Sequence, residues 1–120
     1  MAAVQARVNA DPELALIGEH FNLDMGLAFA ETRYVLRLRA GRIAEVIANP
    51  RFDVACRFVI RGPEALWRRF LAPRPPPLHH DIFAMIMRVP EFVLEGDTLA
   101  ALQNARALHR LMSVMQQEGA

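Results

Sequence analysis

The side chains that could carry out chemistry are few, and their spacing does not suit a reaction centre. His79, His80 and Asp81 are adjacent, and His109 is the only distant histidine that could join them. Adjacent loop residues do not easily place two ligands on one side of a metal ion, and zinc needs three or four well-spaced ligands. Asp81 is better explained as the N-cap of a short helix. We therefore expect no metal site in this cluster.

Sequence motifs for other enzyme chemistry are also absent. The chain has no Gly-rich phosphate loop, no G-x-S-x-G elbow and no nucleophile paired with a base. Cys56 is the only cysteine, so no disulfide can form within one chain. It lies in an apolar, strand-like run, where the alternation predicts that it points inward, and it is expected to be inert. The sequence predicts a protein without catalytic residues and without a cofactor.

Length and composition favour one globular domain. The chain has 120 residues, of which 53% are hydrophobic and 22% charged. It has no apolar run of membrane-spanning length and no signal-peptide pattern, so we expect a cytoplasmic protein. All 14 basic residues are arginine, but the net charge is only +1. No nucleic-acid partner is therefore expected.

Hydrophobic periodicity predicts an α+β fold. We expect residues 1–22 to form a helical segment of the same domain as residues 23–118, in which Asp11 caps a helix that begins at Pro12. Alternating apolar residues predict strands, with a hairpin turn at Ala40-Gly41, over 23–29, 34–39, 42–48 and 53–61. After these strands we expect helices over 63–71 and 81–88 and a strand over 91–95. A long C-terminal helix capped by Asp97 follows. This order predicts a five-stranded, largely antiparallel sheet that helices cover on one face.

Four arginines occupy outward positions on predicted neighbouring strands. They are Arg37, Arg39, Arg57 and Arg61. Such a face is commonly just solvated surface. Alternatively, it could make transient contact with an anionic membrane or an acidic protein.

The last two predicted helices carry more apolar surface than one sheet face needs. In the C-terminal helix, Leu108, Met112 and Met115 recur at helical spacing on a wide apolar side. The helix over 81–88 has two apolar sides, and Phe83 and Met87 form the second. Ordinary core packing, a ligand cavity or a partner chain would each explain this excess, and periodicity does not choose among them.

One segment resembles a known family. Phe92-Val-Leu-Glu-Gly-Asp-Thr98, between an apolar helix and a Leu-rich one, is similar to the end of the sterol-carrier-protein (SCP2-like) domain. Three earlier segments follow the same order as in that family. They are Tyr34-Val-Leu-Arg-Leu before a Gly turn, the Asp53-Val54 strand and the helix Pro63-Glu-Ala-Leu-Trp-Arg-Arg-Phe-Leu. The chain departs from the family at Val89-Pro90 and in the loop with Pro73–Pro77 and His79-His80, where the mouth of the family's cavity would lie.

The resemblance implies an apolar cavity between the sheet and the helices. Its ligand would be a sterol, a fatty acid, a fatty acyl-CoA or an isoprenoid quinone, carried without chemistry. The residues expected to line the cavity are apolar: Phe70, Phe83, Met87, Phe92, Leu102, Leu108, Met112 and Met115. One alternative is an interaction or homodimerisation module, or an accessory factor for a lipid or quinone biosynthetic complex. Another is a small enzyme that uses the histidines.

Overall fold

A computed structural model describes residues 2–29, 31–50, 55–72, 75 and 81–119 of the chain. The strands are β1 (Leu23–Phe29), β2 (Thr32–Arg39), β3 (Arg42–Ala48), β4 (Phe58–Gly62) and β5 (Val93–Gly96). The helices are α1 (Ala2–Asn9), α2 (Pro12–Ile17), α3 (Glu64–Phe70), α4 (Ile82–Arg88), α5 (Thr98–Gln103) and α6 (Ala105–Gly119). None of the helices in this part of the chain is long and apolar enough to cross a membrane.

The five strands form one sheet in the order β3-β2-β1-β4-β5. The pairs β1–β2, β2–β3 and β4–β5 are antiparallel, whereas β1 and β4 are parallel. The prediction of an α+β fold with a five-stranded, largely antiparallel sheet is confirmed. The parallel pair arises because the chain leaves β3 at one edge and returns to β1, and parallel strands need such a crossover connection.

Local sequence signals position the turns and helix starts as predicted. Ala40 and Gly41 both have positive φ, 52° and 75°, in the tight turn that joins β2 to β3. The carboxylates of Asp11, Asp81 and Asp97 accept hydrogen bonds from backbone N–H groups in the first turns of α2, α4 and α5. Each satisfies donors that a helix start leaves without an intrahelical partner.

The largest differences from the prediction concern three elements. Helix α1 buries only Val8, and its apolar residues do not gather on one side of the helix. The sequence therefore does not predict it as a separate helix. The long C-terminal helix is two helices, because Asn104 has non-helical backbone angles (φ −112°, ψ 25°) and ends α5. Its side-chain amide donates to the Ala100 carbonyl at 2.8 Å. The fourth strand begins at Phe58. Residues 51–54, and His79 and His80, lie outside the described residues.

One face of the sheet and the inner sides of the helices form a single apolar core. Met25 and Leu27 of β1 and Ile60 of β4 are fully buried in one cluster with Met85 of α4 and Leu108 of α6. None of the described residues with a polar or charged side chain is buried. The helices therefore cover one face of the sheet, as predicted.

Helix α1 is tied to the edge strand β3 by two amide side chains. Asn9 accepts a hydrogen bond from the Ile43 N–H at 2.8 Å through Oδ1, and its Nδ2 donates to the Ile43 carbonyl at 3.0 Å. Gln5 Nε2 donates to the same carbonyl at 3.1 Å. Both outward-facing backbone groups of Ile43 are thus satisfied.

Gly62, the last residue of β4, has no room for a side chain. A Cβ at this position would lie 2.6 Å from Cδ2 of the Phe92 ring, which is 1% exposed. We expect Gly62→Ala to lower the free energy of unfolding by about 1–2 kcal/mol, because the packed ring cannot move aside without strain. Urea unfolding followed by far-UV circular dichroism measures the change.

A double variant tests the cause. Phe92→Leu alone leaves space beside Gly62, so Gly62→Ala in that background is expected to cost less than in the wild-type chain. Equal costs in the two backgrounds would show that the contact with Phe92 is not the reason for glycine here.

Candidate functional site

The candidate site lies between the sheet and the helices that cover it. Phe29, Leu36 and Ile60 point from the strands towards α3, α4 and α6, because alternate strand residues face the same side. Leu108, Met112 and Met115 face them from α6 at helical spacing. Apolar side chains from both layers therefore meet there.

The eight predicted lining residues divide into three groups. Phe83 packs partly buried against the core. Met87 and Leu102 lie on the surface of the described structure, 78% and 60% exposed. The other five are buried in one cluster: Phe70, Phe92, Leu108, Met112 and Met115. The structure thus brings five of the eight together.

An aromatic cluster connects this interior to the end of the sheet. The Trp67 ring centroid lies 4.8 Å from that of Phe92 and 6.1 Å from that of Phe70. On its other side, Trp67 lies 4.3 Å from Phe29, which meets Tyr34 edge-on at 5.7 Å. The Trp67 indole Nε1–H donates to the Ala28 carbonyl at 2.8 Å, which holds the ring in place.

Three open grooves lie among the described residues, and none is lined by the eight predicted residues. A groove of about 510 Å³ is lined by Phe29, Glu31, Thr32, Tyr34 and Glu64. A second, of about 410 Å³, is lined by Arg61, Gly62, Pro63, Glu91 and Val93. A third, of about 390 Å³, is lined by Asn22, Leu23, Asp24, Arg39, Ala55, Cys56 and Arg57. The first combines aromatic and acidic groups, whereas the other two contain arginine.

The predicted arginine face is balanced by carboxylates. Each of the four arginines forms an ion pair, and the pairs are Arg37–Glu45, Arg39–Asp24, Arg57–Asp97 and Arg61–Glu95. A hydrogen bond from Arg57 and a backbone hydrogen bond from Ala100 lower the pKa of the partly exposed Asp97. Exposed pairs of this kind add little to stability. Contact with an anionic partner stays a prediction, and such a partner would compete with these carboxylates.

Cys56 does not lie where the alternating pattern placed it. Its sulfur would be 3.3 Å from a Cβ at Gly26, on the sheet face opposite the helices. Residues 55–57 precede β4, so the inward alternation begins only at Phe58. Burial raises the pKa of the half-buried Cys56 thiol, which disfavours the reactive thiolate.

His109 Nε2 lies 3.3 Å from Asp81 Oδ2. The other Asp81 oxygen accepts from the Phe83 and Ala84 N–H groups, which confirms its predicted role as a cap. No group of three metal-ligating side chains occurs in the described ranges of the chain. Asp81 and His109 thus connect the start of α4 to α6.

The sequence matches no protein-family model and no curated protein. The fold, in contrast, is similar to that of solved structures. A crystal structure of sterol carrier protein 2 aligns with a TM-score of 0.76 and 22% identity, over 96% of this chain and 92% of that one. A conserved hypothetical protein from Thermus thermophilus, suggested to be a sterol carrier protein, aligns with a TM-score of 0.72 and 21% identity. That alignment covers 99% of this chain and 87% of the other.

A third structure, the UbiJ-SCP2 ubiquinone synthesis protein, has a TM-score of 0.59 and 12% identity, over 92% of this chain and 90% of its own. These likenesses confirm the predicted SCP2-like fold. They extend over 92% to 99% of the chain.

Proposed function

We propose that this chain is a non-catalytic carrier that holds an apolar small molecule between its sheet and helices. The observation that supports this most is the similarity of fold to sterol carrier protein 2 over 96% of the chain. The buried residues Phe70, Phe92, Leu108, Met112 and Met115 would contact the ligand. Removal of its apolar surface from water would stabilise the complex by about 25 cal/mol per Å².

The proposed lining can adapt to ligands of different shape. Met112 and Met115 are 1% and 4% exposed, and their unbranched side chains repack at low cost. Phe83, Met87 and Leu102 would contact the ligand nearer the surface. We propose a sterol, fatty acid, fatty acyl-CoA or isoprenoid quinone as the ligand.

Native mass spectrometry of protein purified from its own host tests the proposal. We expect one apolar molecule bound per chain, released by organic extraction, because a water-excluding interior retains such a ligand through purification. The proposal would be overturned if the chain purifies without a ligand and binds none of the three added molecules, palmitate, cholesterol and a quinone.

A second candidate function, an interaction or dimerisation module, is favoured by exposed apolar side chains. Leu16 and Leu99 are 78% and 62% exposed, and neither belongs to the proposed ligand lining. Leu16→Ser and Leu99→Ser should therefore leave ligand binding unchanged in a carrier. In an interaction module they would abolish a dimer or partner complex seen by light scattering. An accessory role beside a lipid or quinone biosynthetic enzyme would combine both functions.

A further inference from the structure

The groove lined by Phe29, Thr32 and Tyr34 lies at the end of the sheet where β1 turns into β2. All three side chains belong to the helix-covered face, since Leu27 pairs with Tyr34 and Phe29 with Thr32 in the β1–β2 register. Glu31 borders the groove from the turn between the strands, and Glu64 from the first turn of α3. The groove therefore lies where the helix-covered face of the sheet ends, beside the layer that would hold the ligand.

Aromatic contacts continue from this groove into the interior. Phe29 forms part of the groove wall and lies 4.3 Å from Trp67, between ring centroids. Trp67 in turn contacts Phe92 and Phe70, two of the proposed lining residues. An alkyl chain that follows these rings would leave its polar end in the groove.

The charged side chains that line the groove are negative. Among the described residues that line it, Glu31 and Glu64 are the charged ones, and both are exposed. Arg68 pairs with Glu64 at 2.7 Å, but this pair is exposed and hence weak. Carboxylates beside Phe29 and Tyr34 suit a cation, because aromatic faces also attract positive charge. A ligand carboxylate would be repelled.

We propose that this groove is a head-group site that selects an ammonium or quaternary-ammonium amphiphile over one with a carboxylate. The inference rests on the proposed carrier function, since it needs an apolar chain bound in the interior. It adds a cationic amphiphile to the ligands proposed above and disfavours the fatty acid and the fatty acyl-CoA among them. The ammonium group would lie between Glu31 and Glu64 and against the Phe29–Tyr34 pair. The alkyl chain would pass Trp67.

Decylammonium, decanol and decanoate share one alkyl chain and test the head group directly. Trp67 is the only tryptophan of the chain, so its fluorescence reports binding beside it. Titrations at pH 7 and low salt, below the critical micelle concentration, should give decylammonium a dissociation constant about five- to tenfold lower than that of decanoate, with decanol between them. Added salt should reduce the difference.

Two double variants with equal change in net charge separate the groove from general electrostatics. Glu31→Gln/Glu64→Gln should bring the three dissociation constants to within about twofold of one another. Glu45→Gln/Glu95→Gln removes carboxylates that pair with Arg37 and Arg61 on the opposite face of the sheet. This control should keep the preference for decylammonium.

The outcomes distinguish the head-group site from the carrier function. If decanol binds but the three probes have equal affinity, or decanoate binds most tightly, the head-group site is refuted and the carrier stands. A preference that survives in Glu31→Gln/Glu64→Gln also refutes the site. If no probe binds and no ligand co-purifies, the carrier function itself fails.

Discussion

Replacement of Trp67 by alanine is expected to lower the free energy of unfolding by about 3–5 kcal/mol. The side chain is 1% exposed and contacts Phe29, Phe70 and Phe92. Removal of the indole leaves a cavity among these rings and leaves the Ala28 carbonyl without its 2.8 Å hydrogen bond. Urea unfolding followed by far-UV circular dichroism measures the loss, since the variant has no tryptophan fluorescence.

Two further variants separate packing from hydrogen bonding at Trp67. Trp67→Phe keeps an aromatic ring but removes the donor, so we expect a smaller loss of about 1–3 kcal/mol. Leu16→Ala removes an apolar side chain that is 78% exposed, and should change stability by less than about 0.5 kcal/mol. A Trp67→Ala loss as small as that of Leu16→Ala would contradict the central position of this ring in the core.

Replacement of Arg110 by methionine is expected to have the second large effect on the free energy of unfolding. Arg110 Nη2 and Nε lie 2.7 and 3.0 Å from the two Asp11 oxygens, and Nε also lies 2.9 Å from Glu13. The Asp11 side chain is only 9% exposed, so Arg110→Met would leave its carboxylate without a counter-charge, although the Leu14 N–H would still donate to it. We expect a loss of about 2–3 kcal/mol at pH 7. Arg68→Met, which breaks the exposed pair with Glu64, should cost less than about 0.5 kcal/mol.

The Arg110→Met effect should depend on pH. The hydrogen bond from Arg110 lowers the pKa of Asp11 below its ordinary value of 3.8, against the opposing effect of burial. A depressed native pKa gives stability that is complete above the unfolded value and is lost as pH falls through the native one. A protonated Asp11 also needs no counter-charge. The difference between wild type and variant should therefore shrink below pH 3.8, and a constant difference in urea unfolding would contradict this account.

Local signals explain what could be predicted from the sequence. Asp11, Asp81 and Asp97 each cap a helix with a side chain adjacent to the backbone it bonds, so short-range sequence determines the result. Alternation likewise places Met25 and Leu27 on the buried face of β1. Such features need no knowledge of distant contacts.

Contacts between distant segments explain what could not be predicted. The parallel pairing of β1 with β4 is a long-range choice that neither strand's residues reveal. Phe29, Tyr34 and Trp67 were not selected as site residues, although all three are aromatic, because strand register and helix packing bring them together. Glu31 and Glu64 meet at one groove only through the same packing. The resemblance to a known family predicted a cavity, but it did not predict which polar groups lie at its opening.

The bonds between α1 and β3 also affect how the molecule behaves towards copies of itself. An edge strand exposes backbone donors and acceptors that can recruit a strand from another chain, which is a route to aggregation. The Asn9 amide occupies both outward groups of Ile43, in the manner of a neighbouring strand. A helix with little apolar character of its own thus protects the sheet edge at Ile43. A chain that lacks residues 1–9 would expose these backbone groups as a template for self-association.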